Sequence, residues 1–312
     1  MKYLWLGTAI LFLAGLIPVA HADVTIKKTM SFEGMMGMGG NVTEETEYIK
    51  ANMSCSDKTN KTTGGMMGKK AKESKDVQIT RLDKGLIWNL DIAKKTYTEM
   101  PLQSIKDMMD QAKDAPDMPE NEEPSESDDY EWTTDIKTVE GTKDINGFPC
   151  HGIIGTAIGI NKRDPSDKMR ITYEFWGTDK VPGNQELDDY YKAYAKSLGV
   201  DEFQSQQAMD QMTRKYSSQF GGIFTDKMKT AGGFPIKVTM KVEKSGGGDQ
   251  EGNEAAAKAM AKMSGLFGGK KGAEKSADGM MTMFSTDTEV IGVEAGSIPD
   301  SKFEVPADYK KK

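Results

Sequence analysis

Methionine is the residue whose spacing in this 312-residue chain could do chemistry: 22 are present. They cluster at Met35, Met36 and Met38, at Met66 and Met67, and at Met280, Met281 and Met283. Thioether sulfur is a soft ligand that suits Cu(I), so converging loops could gather two to four such ligands. The spacing is irregular and no Cys or His joins the clusters. Flexible methionine side chains equally suit an adaptable apolar surface, the rim of a lipid site or ordinary core filling.

The two cysteines, Cys55 and Cys150, are a second candidate. If the chain enters an oxidising compartment they are expected to pair. Closing a loop of about 95 residues would stabilise the fold by roughly 4–5 kcal/mol in the chain-entropy view. His151 adjoins Cys150, but neighbours on a strand point to opposite faces, which argues against a Cys-His pair. Gly-x-Ser-x-Gly is missing, and so is the phosphate loop Gly-x-x-x-x-Gly-Lys-Ser/Thr. The sequence therefore reads as that of a non-enzyme with no cofactor.

A third set is aromatic. Leu187, Tyr190, Tyr191, Tyr194 and Leu198 recur at helical spacing over Gln185–Leu198, and Met209, Met212, Tyr216 and Phe220 do so over Phe203–Phe220. Each stripe is expected to be the buried face of a helix. If those helices cover a sheet, Tyr190, Tyr191, Tyr194, Met209, Met212 and Tyr216 are the candidate contacts to a ligand, with hydroxyls near a polar headgroup.

The elements that must hold these residues are mostly strands. Alternating runs at 24–30, 42–53, 77–82, 86–92 and 96–100 give a hairpin and a three-strand meander. A short helix follows Pro101, with Leu102, Ile105, Met108 and Met109 on one face. Further strands are expected at 132–139, 150–160, 171–176, 236–242 and 281–293, with a turn at Asn146-Gly147 and a packed tail carrying Phe303, Val305 and Tyr309. Insertions near 56–75, 116–129 and 246–279 lack an apolar period and are expected to be mobile. The acidic, proline-rich 116–129 stretch reads as a linker; the ordered Asp spacing of a calcium loop is absent.

The first 22 residues have the form of a signal peptide. Lys2 is the basic start, 4–19 is apolar, and Ala20-His21-Ala22 is a small-residue cleavage site, with cleavage expected after Ala22. No later stretch is long and apolar enough to span a bilayer, so no transmembrane segment is expected after cleavage. The expected location is the periplasm or another exported compartment, and residues 23–312 form a single β-rich domain. Removing the leader takes one Lys and one His and moves the formal charge from −7 to −8. With no sustained basic stripe, nucleic acid is excluded as a partner.

Several motifs resemble a family of exported bacterial proteins, domain of unknown function 4412, related to the LolA/LolB-like lipoprotein-carrier superfamily. They are Arg81-Leu82-Asp83-Lys84 with Trp88 leading to Lys95-Thr96-Tyr97, Ile145-Asn146-Gly147-Phe148-Pro149-Cys150, Phe175-Trp176, Gly233-Phe234-Pro235, and Ile298-Pro299 with Phe303-Glu304-Val305-Pro306. The resemblance implies an α+β fold: a curved antiparallel sheet, an open half-barrel, with helices across its concave face and an apolar cavity between. Strands with one apolar face and amphipathic helices must in any case cover one another. The expected function is non-catalytic binding of a lipid or acyl chain, as in a periplasmic carrier. The alternatives are methionine-based copper binding in the envelope and a structural or assembly factor.

Overall fold

The computed structural model describes residues 22–34, 39–63, 72–114, 129–199, 233–245 and 279–312. They form β1 (Val24–Glu33), β2 (Gly40–Lys50), β3 (Met53–Thr63), β4 (Lys72–Arg81), β5 (Leu86–Asp91), β6 (Thr96–Pro101) and α1 (Leu102–Asp114). After the acidic stretch come β7 (Tyr130–Thr138), β8 (Lys143–Ile145), β9 (Phe148–Asn161), β10 (Lys168–Thr178), α2 (Asn184–Leu198), β11 (Phe234–Lys244), β12 (Met281–Ala295) and β13 (Lys310–Lys311). One large curved, unclosed sheet runs in the order β13-β6-β5-β4-β3-β2-β1-β12-β11-β10-β9-β7, with β8 paired to β9. Every pairing is antiparallel except the short β13–β6 contact.

The local chemistry that builds the hairpins is visible in the turns. Asn146 and Gly147 both take positive φ, 54° and 84°, the conformation a two-residue hairpin loop needs. The Asn146 amide also donates to Val290 O at 2.9 Å and Glu289 Oε1 at 2.9 Å, tying the β8–β9 hairpin to β12. Trp176 lies over Gly152, and Trp132 over Gly159, each directly opposite its glycine on the neighbouring strand. A Cβ at Gly152 would come within 2.6 Å of the Trp176 ring, so only glycine lets that indole lie flat on the sheet.

The two faces are covered differently. On one face α2 packs over β1, β2 and β11: Leu187 and Tyr190 join Val24, Ile26, Ile49 and Ile236 in one buried cluster. Nearby, α1 meets α2 where Leu102, Ile105, Tyr194 and Leu198 close over Ile87. This is the helix face. On the other, Cys55, Ile79 and Trp88 stand opposite one another on β3, β4 and β5, and the C-terminal tail lays Ile298 and Phe303 over them. This is the tail face. Arg81, buried, clamps the tail through the Phe303 carbonyl at 3.3 Å and the Glu304 carboxylate, while Asp83 takes two further bonds at 2.8 and 2.7 Å.

Two expectations are corrected. The stretch 56–75, read as a loop, is strand over 56–63 and 72–75. Its side chains are polar on both faces, so no apolar period marks it, and main-chain pairing with neighbouring strands holds it. The expected disulfide is not formed: Cys55 and Cys150 are both buried free thiols. Cys55 sits on β3 in the tail-face cluster and Cys150 on β9 in the α2 cluster, six strands along the sheet. Loop length says nothing about that separation. Burial pushes the Cys55 thiol up to about 12 and the Cys150 thiol up to about 11, so both are held as unreactive thiols. The expected helix over 203–220 and the insertion at 246–278 lie outside the described residues, as does 116–128 of the linker.

Candidate functional site

Residues directly opposite one another across antiparallel strands share a face. One row on the helix face can therefore be followed strand by strand: Ile153, Phe175, Val238, Thr288, Met30, Thr43, Asn60, Ser74. It changes from apolar to polar along its length. The apolar end belongs to a buried cluster of Tyr130, Ile153, Ile171, Tyr173, Phe175, Met240, Val242 and Phe284, with Phe32 and Trp132 packed beside it. Phe32 and Phe284 stack at 6.3 Å between ring centroids.

The polar end is a network across β1–β4. Lys28, Glu45, Lys58 and Asp76 are mutually opposite on the four strands, so charges of alternating sign lie side by side. Lys28 Nζ lies 3.3 Å from Glu45 and 3.1 Å from Glu47, and Lys58 Nζ is 3.5 Å from Glu45. Ser56 Oγ donates to Glu45, Thr43 donates to Asn60 at 2.7 Å, and Asn60 donates to Asp76 at 2.7 Å. Exposure rises outward along the ladder: the Glu45 side chain is 5% exposed, Lys58 39%, and Asp76 faces solvent. Burial pushes the Glu45 carboxyl up, but Lys28, Lys58 and the Ser56 bond outweigh it and hold the group below its ordinary value. Lys28 is raised for the converse reason: burial lowers it, and Glu47 and Glu45 more than compensate.

Helix α2 reaches the polar end through its tyrosines. Tyr190 donates its buried hydroxyl to Ser54 Oγ at 2.6 Å, and Tyr191 donates to Glu47 at 3.3 Å. Burial raises both phenols, so they stay neutral donors at any physiological pH. Tyr194 stacks on Tyr190 with rings 6.2 Å apart. Left-handed glycines at both ends, Gly183 and Gly199, each at φ 70°, fix the helix length. Losing the Tyr190 hydroxyl leaves Ser54 unpaired in a buried place; Tyr190→Phe is expected to cost about 1–2 kcal/mol, read as a lower urea midpoint at unchanged m-value.

The predicted site residues thus divide. The structure brings Tyr190, Tyr191 and Tyr194 together on the helix face, where two of their hydroxyls bond to the sheet. Met280 is buried and Met283 packs beside the apolar cluster, while Met281 opens β12. Met35, Met36, Met38, Met66, Met67, Met209, Met212 and Tyr216 lie outside the described residues. The strands flanking the first two methionine segments, ending at Glu33 and Thr63, reach the same end of the sheet as the start of β12. Among the described residues, no helix is long and apolar enough to cross a membrane, and no group of three or more His, Cys, Asp or Glu side chains is placed to hold a metal.

Sequence reading missed the polar ladder altogether. Its signal is a strand such as β2 in which Thr43, Glu45 and Glu47 occupy the face that Ile49 begins, so that inward charges replace apolar residues part-way along.

No family model matches the chain, and no curated protein matches it. The resemblance to domain of unknown function 4412 rests on its motifs alone. A crystal structure of a DUF1329 family protein from Desulfovibrio piger is similar at 10% identity over 92% of this chain and 91% of that chain, with a TM-score of 0.18. A likeness at that level carries no argument about fold or chemistry.

Proposed function

We propose that this chain is an exported, non-catalytic protein that holds an amphiphilic ligand, a lipid or acyl chain, against the helix face of its sheet. The observation that carries the reading is the row from Ile153 to Ser74, in which one continuous face passes from aliphatic and aromatic side chains to hydroxyls and an amide, with the charged ladder beside it. The first part is already out of water, so an acyl chain that inserts among its side chains gains roughly 25 cal/mol per Å² of the chain's own surface. A polar head meets hydrogen-bonding groups at the other, so neither end of the ligand is mismatched. The motif resemblance to carrier-type half-barrels supports the same assignment, as does the leader-like segment ending at Ala22.

The test is native mass spectrometry of protein purified from the cell envelope without detergent, followed by solvent extraction. The expected result is a bound mass released as phospholipid or fatty acid. Protein that is unliganded, and that also fails to take up added lipid, overturns the reading.

A further inference from the structure

The carrier reading leaves the head of the ligand unspecified, and the outer half of the charge ladder bears on it. The inner group is enclosed: Lys28 bridges Glu45 and Glu47, Ser56 completes the bonding, and Lys58 Nζ lies 3.5 Å from Glu45 on its outer side. The outer pair, Lys58 on β3 and Asp76 on β4, stands in direct register and is reached by water. Residues opposite one another on adjacent strands have Cβ atoms about 4.5–5.5 Å apart, so side chains of this length reach both ends of a phosphoethanolamine head. Lys58 is a cation with spare donors and Asp76 an anion with spare acceptor capacity, since among the described residues one bond, from Asn60, is made to it.

We infer that the Lys58–Asp76 step is the headgroup subsite of the proposed carrier and that it selects a zwitterionic phosphoethanolamine head over an anionic one. The inference rests on the carrier reading and deepens it. Lys58 bonds the phosphodiester, Asp76 accepts from the ammonium, and Asn60 with Thr43 lines the approach from the apolar end of the row. A head with phosphate but no cation leaves Asp76 facing a like charge, and that repulsion supplies the discrimination. A site that only neutralised anions would not place a carboxylate beside its lysine on the solvent side.

The experiment uses the full mature chain and phosphatidylcholine vesicles doped with a pyrene-labelled phosphatidylethanolamine or, separately, a phosphatidylglycerol with the same acyl chains. Uptake is read as loss of pyrene excimer emission. Wild-type protein is expected to favour the ethanolamine lipid by about tenfold. Asp76→Asn, at an exposed position that leaves the fold intact, is expected to remove the preference while keeping uptake of the glycerol lipid. Lys58→Gln is expected to weaken uptake of both lipids. Equal uptake of both lipids by wild type, or a preference that survives Asp76→Asn, overturns the headgroup assignment and leaves the carrier reading standing. Uptake of neither lipid by folded wild-type protein overturns both.

Discussion

Lys28→Met is expected to lower folding stability by about 3–5 kcal/mol, because it strands two carboxylates that the fold has taken out of water. Glu45 and Glu47 have side chains only 5% and 12% exposed, and Lys28 bridges them at 3.3 and 3.1 Å. After the change Glu45 keeps the more distant Lys58 at 3.5 Å, while Glu47 keeps the Tyr191 hydroxyl. Urea unfolding at neutral pH reads the loss as a reduced midpoint. Removing the charge from both sides, in Lys28→Met with Glu45→Gln, is expected to recover part of it, and the shortfall from additivity measures the coupling.

The pH dependence has a definite sign. Glu45 is held below its ordinary value, so its contribution is complete above the usual carboxylate pKa and fades as pH falls through the lower folded value. Lys28 is raised, so its contribution is complete below the ordinary lysine pKa and fades only as pH climbs through the higher folded value. The wild-type midpoint is therefore expected to be flat from about pH 6 to 9 on account of this pair and to fall in acid below about pH 4. In Lys28→Met the deficit relative to wild type should shrink on acidification, since protonating Glu45 removes the charge that Lys28 holds in the wild type. A deficit that grows in acid would contradict the assignment.

Phe303→Ala is the second large effect, expected at about 3–5 kcal/mol. Phe303 is fully buried against Cys55, Ile79, Trp88 and Leu90, and it holds the tail to a sheet face that is otherwise apolar. The accompanying readout is chemical. Cys55 is 1% exposed and its thiol is pushed up to about 12, chiefly by burial, so an aromatic disulfide reagent should react slowly with the native protein. In the variant the reaction at Cys55 should accelerate while Cys150, in the other cluster, stays slow. Acceleration at both would mean that the whole fold has loosened rather than the tail alone.

Much of the frame was legible from residue order, and the reasons are local. The Asn146-Gly147 turn, the meander over β4, β5 and β6, the stripe of α2 and the packed Phe303 each announce themselves by turn chemistry or by period. What was not legible depends on register between distant segments. The far half of the β3–β4 hairpin, 56–63 and 72–75, carries polar residues on both faces, so it looks like loop until its pairing partners are known. The cysteines appear pairable until the strand order places five strands between them. The Lys28–Glu45–Lys58–Asp76 ladder is the same problem: its members lie 13 to 18 residues apart, and nothing in the one-dimensional order says that hairpin register sets them side by side.

Photo-crosslinking tests the central claim most directly. The protein would be loaded with a phosphatidylethanolamine bearing a diazirine at the end of one acyl chain, irradiated, digested and mapped by mass spectrometry. The account predicts adducts on the helix-face residues of β9, β10 and β11, such as Ile153, Phe175, Val238 and Met240, that disappear on competition with unlabelled lipid. Adducts confined to tail-face positions such as Ile158 and Ile160, or labelling that unlabelled lipid does not displace, would contradict it.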